Sequence, residues 1–382
     1  MFEFSPLGRK AKGRSRRPSP AKPARLCLEV FEERTVPTTL TWIGPNGGSW
    51  SEPANWSTDT VPTTGDDLHF GSGGANTNSN DDMDALSVHS ITCDSGFTGT
   101  IQMVDVHLTV TQTFTQRGGL QITSNTSADT DLTVATLDIG GTVSSYGTDL
   151  GISANTTTTQ QGSSWTIYGT TILSGSSLTQ NGTISVVYQF STPVFNVGTS
   201  YDIGNTGTLS IQEGEVHYTG SPVWTVEGTI NVNTGTVTNS NLLRLQRTPT
   251  HTGTLRVSGQ LDMTGNLENK AGLVYIELEE GFYLSGNYTE LDDVILGVSY
   301  ASTLQIEVSG AGAYGHFHIS GTATLSGVLR VTAVGQLAQN ALFSLVSATT
   351  RSGDFGVDLP PPPAGQSWSY GWNVSVFTLE AI

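Results

Sequence analysis

The chain has 382 residues, of which only 13% are charged, with 45 glycines and a net charge of −17 at pH 7. That length supports a sizeable core, and low charge with many short apolar runs excludes a disordered chain. Two cysteines, Cys27 and Cys93, exclude a disulfide framework and a paired-cysteine metal site, and no apolar run of ~18 residues is present to cross a bilayer as a helix.

Charge is distributed unevenly. Residues 1–25 hold eight basic residues and one acid, whereas the remainder holds 8 basic and 32 acidic residues. A basic head on an acidic body reads as a targeting segment. The acidic body repels phosphate backbones, so nucleic acid is not an expected partner. Residues 1–37 lack periodicity and read as a disordered leader. Their deletion should leave the thermal unfolding midpoint where it was; a large fall would show that they belong to the core.

Residues 38–84 read as an N-terminal capping region. Leu40-Thr41-Trp42, Gly48-Ser49-Trp50 and Asn55-Trp56 place three large aromatics ahead of the repeats. The first coil of a solenoid has no predecessor, so bulky side chains must close its open end. The functional alternative for Trp42, Trp50 and Trp56 is a platform on which sugars stack.

Residues 85–310 read as solenoid coils. Gly182-Thr183-Ile184-Ser185-Val186, Gly207-Thr208-Leu209-Ser210-Ile211, Gly228-Thr229-Ile230-Asn231-Val232 and Gly253-Thr254-Leu255-Arg256-Val257 each put a glycine turn before an alternating strand. Alternation sends one set of side chains inward and the other to water. The glycines recur every ~19–25 residues, and a coil of that size buries its apolar face only by stacking. The expected fold is all-β, a right-handed parallel β-helix, in which about ten coils at ~4.8 Å spacing make a rod. Asn155-Thr156-Thr157-Thr158-Thr159-Gln160-Gln161 reads as a Thr-rich outward turn or ladder. The segment from Gln189 to Asn196, with Pro193, reads as an outward loop. Cys93 reads as a small buried apolar residue.

Residues 311–382 read as a β-rich C-terminal cap, from Gly315-His316-Phe317-His318-Ile319 through Ala341-Leu342-Phe343 and Trp368-Ser369-Tyr370 to the final strand near Val374. Two stretches carry a resemblance. Arg25-Leu26-Cys27-Leu28-Glu29-Val30-Phe31-Glu32-Glu33-Arg34-Thr35-Val36-Pro37 resembles the N-terminal motif of planctomycete exported surface proteins, with Phe31 where leucine is usual and Glu33 where aspartate is common. The Trp block and the last ~70 residues resemble the two ends of a β-helix of the autotransporter-passenger type. No translocator barrel follows Ile382 in this sequence. The resemblance implies an extracellular or cell-surface location.

Several constellations could carry chemistry. Glu213 and Glu215, at i and i+2 on one strand, share a face about 7 Å apart, a separation compatible with paired carboxylates; Glu277, Glu279 and Glu280 repeat the idea. Alternation makes both groups outward and solvated. Asn78-Ser79-Asn80-Asp81-Asp82-Met83-Asp84 is rich enough in oxygen for Ca²⁺ but lacks the spacing of a calcium loop, and reads as a solvated turn. His316 and His318 share a strand face without a third ligand. The expectation is a protein without catalytic activity or cofactor, an exported structural or adhesion rod whose partners are cell-envelope components or glycans. The rival is a carbohydrate-binding or polysaccharide-degrading β-helix. The sequence leaves the oligomeric state open.

Overall fold

The computed structural model describes residues 37–382 other than Ser72, residues 126–128, Asp149, Phe190 and Ala311. The basic leader, the export-type motif and Cys27 lie outside the described residues. Residues 37–382 form a parallel β-solenoid of about 11 turns. The described residues contain no α-helix, only a 3-10 turn at Pro53–Asn55.

Each coil contributes to three parallel ladders, here called the first, second and third faces. Thr39–Thr41, Asp67–Phe70 and Ser90–Cys93 begin the first face. Thr100–Val104, Gly119–Thr123, Thr142–Tyr146, Ser164–Ile167 and Thr183–Val187 lie on the second. Leu86–Val88 opens the third face, where it pairs with the start of His107–Gln116. That strand bends from the third face into the first, as do Thr130–Ile139, Leu150–Thr159 and Thr170–Gln180. Thr229–Gln246 runs through all three faces in one strand.

Register stacks like on like. One inward column of the first face passes through Leu40, Leu68, Ile91, Phe114, Leu137, Thr157, Leu178 and Tyr201. Such columns make one continuous core, because each coil's apolar face is covered only by its neighbours. The glycine period has a direct steric cause. A Cβ on Gly228 would collide with the Gly207 carbonyl oxygen, and one on Gly207 with that of Gln180. Stacked turns approach too closely there for any side chain.

The column beside the turn from first to second face is partly polar. It includes Gln116, Thr159, Gln180, Asn269 and Glu290, all buried. Turn amides and carbonyls outside the ladders need partners once buried, and these side chains supply them. Gln180 Nε2 donates to the carbonyls of Gly182 (3.1 Å) and Thr208 (2.6 Å). Thr159 Oγ1 accepts from the amides of Asn181 (3.2 Å) and Gly182 (3.0 Å). Thr159→Val should therefore lower stability by about 1–3 kcal/mol, the cost of a buried donor left unpaired. The urea midpoint of the variant checks this.

Both ends are closed. Trp42, Trp50 and Trp56 are fully buried and pack with Phe70 at ring separations of 5.3 to 6.2 Å. Trp56 Nε1 donates to the Trp50 carbonyl (2.9 Å) and Trp42 Nε1 to Thr77 Oγ1 (3.1 Å). At the other end Leu342–Gly353 pairs antiparallel with Val376–Ala381, which pairs with Trp368–Asn373.

Three local expectations are corrected. Asn155 to Thr159 belongs to a ladder and not to a turn: Leu150–Thr159 is one strand stacked between its neighbours, with Thr157 and Thr159 inward, and the turn follows at Gln161. The loop near Pro193 ends earlier than expected, because Val194–Val197 is a strand and Pro193 is buried. Residues 78–84 are not simply a solvated turn, since Ser79–Asp81 pairs with Thr100–Val104 and buries Ser79 and Asp81. Parallel pairing runs across positions 84/85 and 310/311, from Thr39–Thr41 to Gly356–Asp358.

Candidate functional site

Trp42, Trp50 and Trp56 face inward as the capping reading expects, and the alternative sugar platform is not formed, because all three rings have 0% exposure. Glu213 and Glu215 do not share a flat strand face. Thr208–Tyr218 turns a corner between them, where the register shifts and Glu213 has φ 61°. Glu215 Oε2 is bonded to His217 Nε2 at 2.9 Å. Glu279 likewise lies on a corner with φ 66°, and Glu277 is paired with Arg256. His316 and His318 do lie on one strand, with Phe317 and Ile319 buried between and beyond them. They turn to different partners: Tyr283 OH for His316 (2.7 Å), Ser347 Oγ for His318 (2.8 Å). Burial, with His318 nearby, lowers the His316 pKa. Among the described residues no group of three or more His, Cys, Asp or Glu side chains is arranged to hold a metal.

Two carboxyls are far from their ordinary range, and both face inward. Burial pushes Glu290 up to about 7, although it accepts from the Gly327 (3.0 Å) and Ser326 (3.3 Å) amides and the Tyr288 hydroxyl (3.0 Å). Burial also pushes Asp81 up to about 7. Its Oδ1 accepts from the Met83 amide (3.0 Å), and Oδ2 meets no protein donor. Both side chains are buried, out of contact with anything that lies on the outer surface.

Some outward charges are paired between successive coils. His69 pairs with Asp94 (3.0 Å), His89 with Asp67 (2.8 Å), Lys270 with Asp293 (3.1 Å) and Arg330 with Asp358 (2.9 Å). Arg117 meets Asp138 and Arg244 meets Glu268. His107 Nδ1 lies 2.8 Å from Asp84 and its Nε2 3.4 Å from Asp131. The bond to Asp84 raises the His107 pKa.

Several hollows lie on the outside, among them two that open over stacked outward rows. One, of about 540 Å³, lies on the first face over Thr179, Asp202, Thr225 and Glu227. Burial raises the Asp202 pKa there, against a bond from Thr225. The other, of about 490 Å³, lies on the third face between two outward rows. His107, Asp131, Gly151 and Ile172 form one row; Thr109, Thr133, Ser153 and Ser174 form the next. Neither was foreseen from the sequence. The signal for the second is a glycine at an outward strand position, which opens space for a close approach.

No protein-family model matches the chain, and no curated protein matches it in sequence.

Proposed function

We propose that the chain is an exported or cell-surface β-helical rod, structural or adhesive in role and without catalytic activity, whose partners are cell-envelope components or glycans. One observation carries the reading: the carboxyls best tuned for proton transfer, Glu290 and Asp81, are sealed in the core. The outer surface offers hydroxyl rows and charge pairs that brace coil to coil. The split charge of the chain supports export, with a basic leader ahead of an acidic body. No helix among the described residues is long and apolar enough to cross a membrane.

The rival, a polysaccharide-degrading β-helix, draws support from Asp202, a carboxyl raised by burial beside an open hollow. Raised carboxyls are what general acid catalysis near neutral pH requires. A panel of polysaccharides incubated with the purified full chain should release no oligosaccharide product. Turnover that Asp202→Asn or Glu215→Gln abolishes would overturn the non-catalytic reading. Protease shaving of intact source cells should remove the protein; full protection would refute the surface location.

A further inference from the structure

We infer that the third-face hollow over Gly151 is a binding subsite for a neutral glycan laid along the rod axis. Its floor is Gly151, the residue without a side chain in the row His107, Asp131, Gly151, Ile172. A Cβ on Gly151 would collide with Asp131 Oδ1, so that carboxylate leans over the glycine into the hollow. Asp131 is half exposed, with His107 Nε2 at 3.4 Å. It keeps lone pairs free to accept from sugar hydroxyls, and charge-assisted bonds of that kind are the stronger ones.

The rest of the lining suits the same ligand. Thr109, Thr133, Ser153 and Ser174 present one hydroxyl per coil over about 14 Å at ~4.8 Å per coil, that of Ser174 as an acceptor because it donates to the Ile152 carbonyl (3.4 Å). That length and direction fit an extended chain, not a single small molecule. At the far end Ile172 is 45% exposed, an apolar surface for the C–H face of a pyranose ring. Asp84, His107 and Asp131 together carry no net positive charge, and the chain as a whole is at −17. Acidic glycans are therefore repelled, which selects neutral ones.

The inference rests on the reading of the rod as a binding surface, and the test separates the two. The full chain is titrated with oligosaccharides from β-glucan, mannan, xylan and chitin, with polygalacturonate as the acidic counterpart. Gly151 does not have a positive φ, so Gly151→Leu fills the hollow without backbone strain by displacing the Asp131 carboxylate. Thermal melts establish that each variant is folded. At least one neutral oligosaccharide should bind, weakened at least tenfold by Gly151→Leu and several-fold by Asp131→Asn. Ser210→Leu, on the second face, should leave binding intact. No neutral binding, or tighter binding of polygalacturonate, overturns the inference. Binding that survives both Gly151→Leu and Asp131→Asn sinks the subsite and leaves the binding rod standing. Product release from a bound glycan sinks the non-catalytic reading and leaves the subsite.

Discussion

Ile230→Asp is expected to unfold the rod at the mutated coil or throughout. Ile230 is 1% exposed and stands in an inward column of the second face between Leu209 and Leu255. The residues above and below it are aliphatic, so a carboxylate there would have no cation and no donor. An unpaired buried charge costs several kcal/mol, a large share of a total stability of ~5–15 kcal/mol. Coils touch only their neighbours, so losing one coil divides the solenoid into two shorter pieces. The urea midpoint should fall steeply, or the transition should split in two. Ile230→Val, which removes one methyl group, should cost only about 0.5–1.5 kcal/mol. An unchanged midpoint for the aspartate variant would mean that this column is not buried.

Mild acid is expected to stabilise the protein. Glu290 keeps its proton in the fold up to about pH 7, against 4.5 for the ordinary side chain, and Asp81 up to about 7 against 3.8. Between those values the unfolded chain has lost protons that the fold still holds. Stability therefore falls as pH rises from about 4 to 7 and levels off above that. Each shift corresponds to roughly 3–4 kcal/mol at 1.36 kcal/mol per pH unit. The raised His107 acts in the same direction, since its ionised form pairs with Asp84 and is lost as pH rises. The gain reverses in strong acid. Burial pushes Asp138 up, but bonds from Arg117 and Gln160 bring it below the ordinary value, and protonation breaks them. Urea midpoints should be higher at pH 5 than at pH 8, and Glu290→Gln should flatten the dependence. A midpoint that rises from pH 5 to pH 8 contradicts the assignment.

The stacking of the coils has a mechanical consequence. A rod held by parallel ladders, inward columns and inter-coil pairs resists local opening, because every interior backbone group is covered by the coils on both sides. Carboxylates such as Asp67 and Asp94 serve that cohesion through His89 and His69. Hollows bounded by hydroxyls lie on the first and third faces.

The sequence by itself determined the stacked-coil architecture. Alternation in segments such as Thr229 to Val232 is a local property, and the glycine before each segment is required by how closely the turns stack. It favoured a cap for Trp42, Trp50 and Trp56, because an end coil must bury aromatics in the absence of a neighbour, and their burial decided against the sugar platform. Only the tertiary structure decided where a strand bends. Glu213 and Glu215 look equivalent by spacing, yet a corner separates them. Thr159, Asp81 and Glu290 look outward by composition. They point inward because their hydrogen-bond partners stand in turns: on the next coil for Thr159 and Glu290, and only two residues on for Asp81. The third-face hollow was hidden for the same reason. Asp131, Gly151 and Ile172 are about twenty residues apart in sequence, and only the register of successive coils sets them side by side.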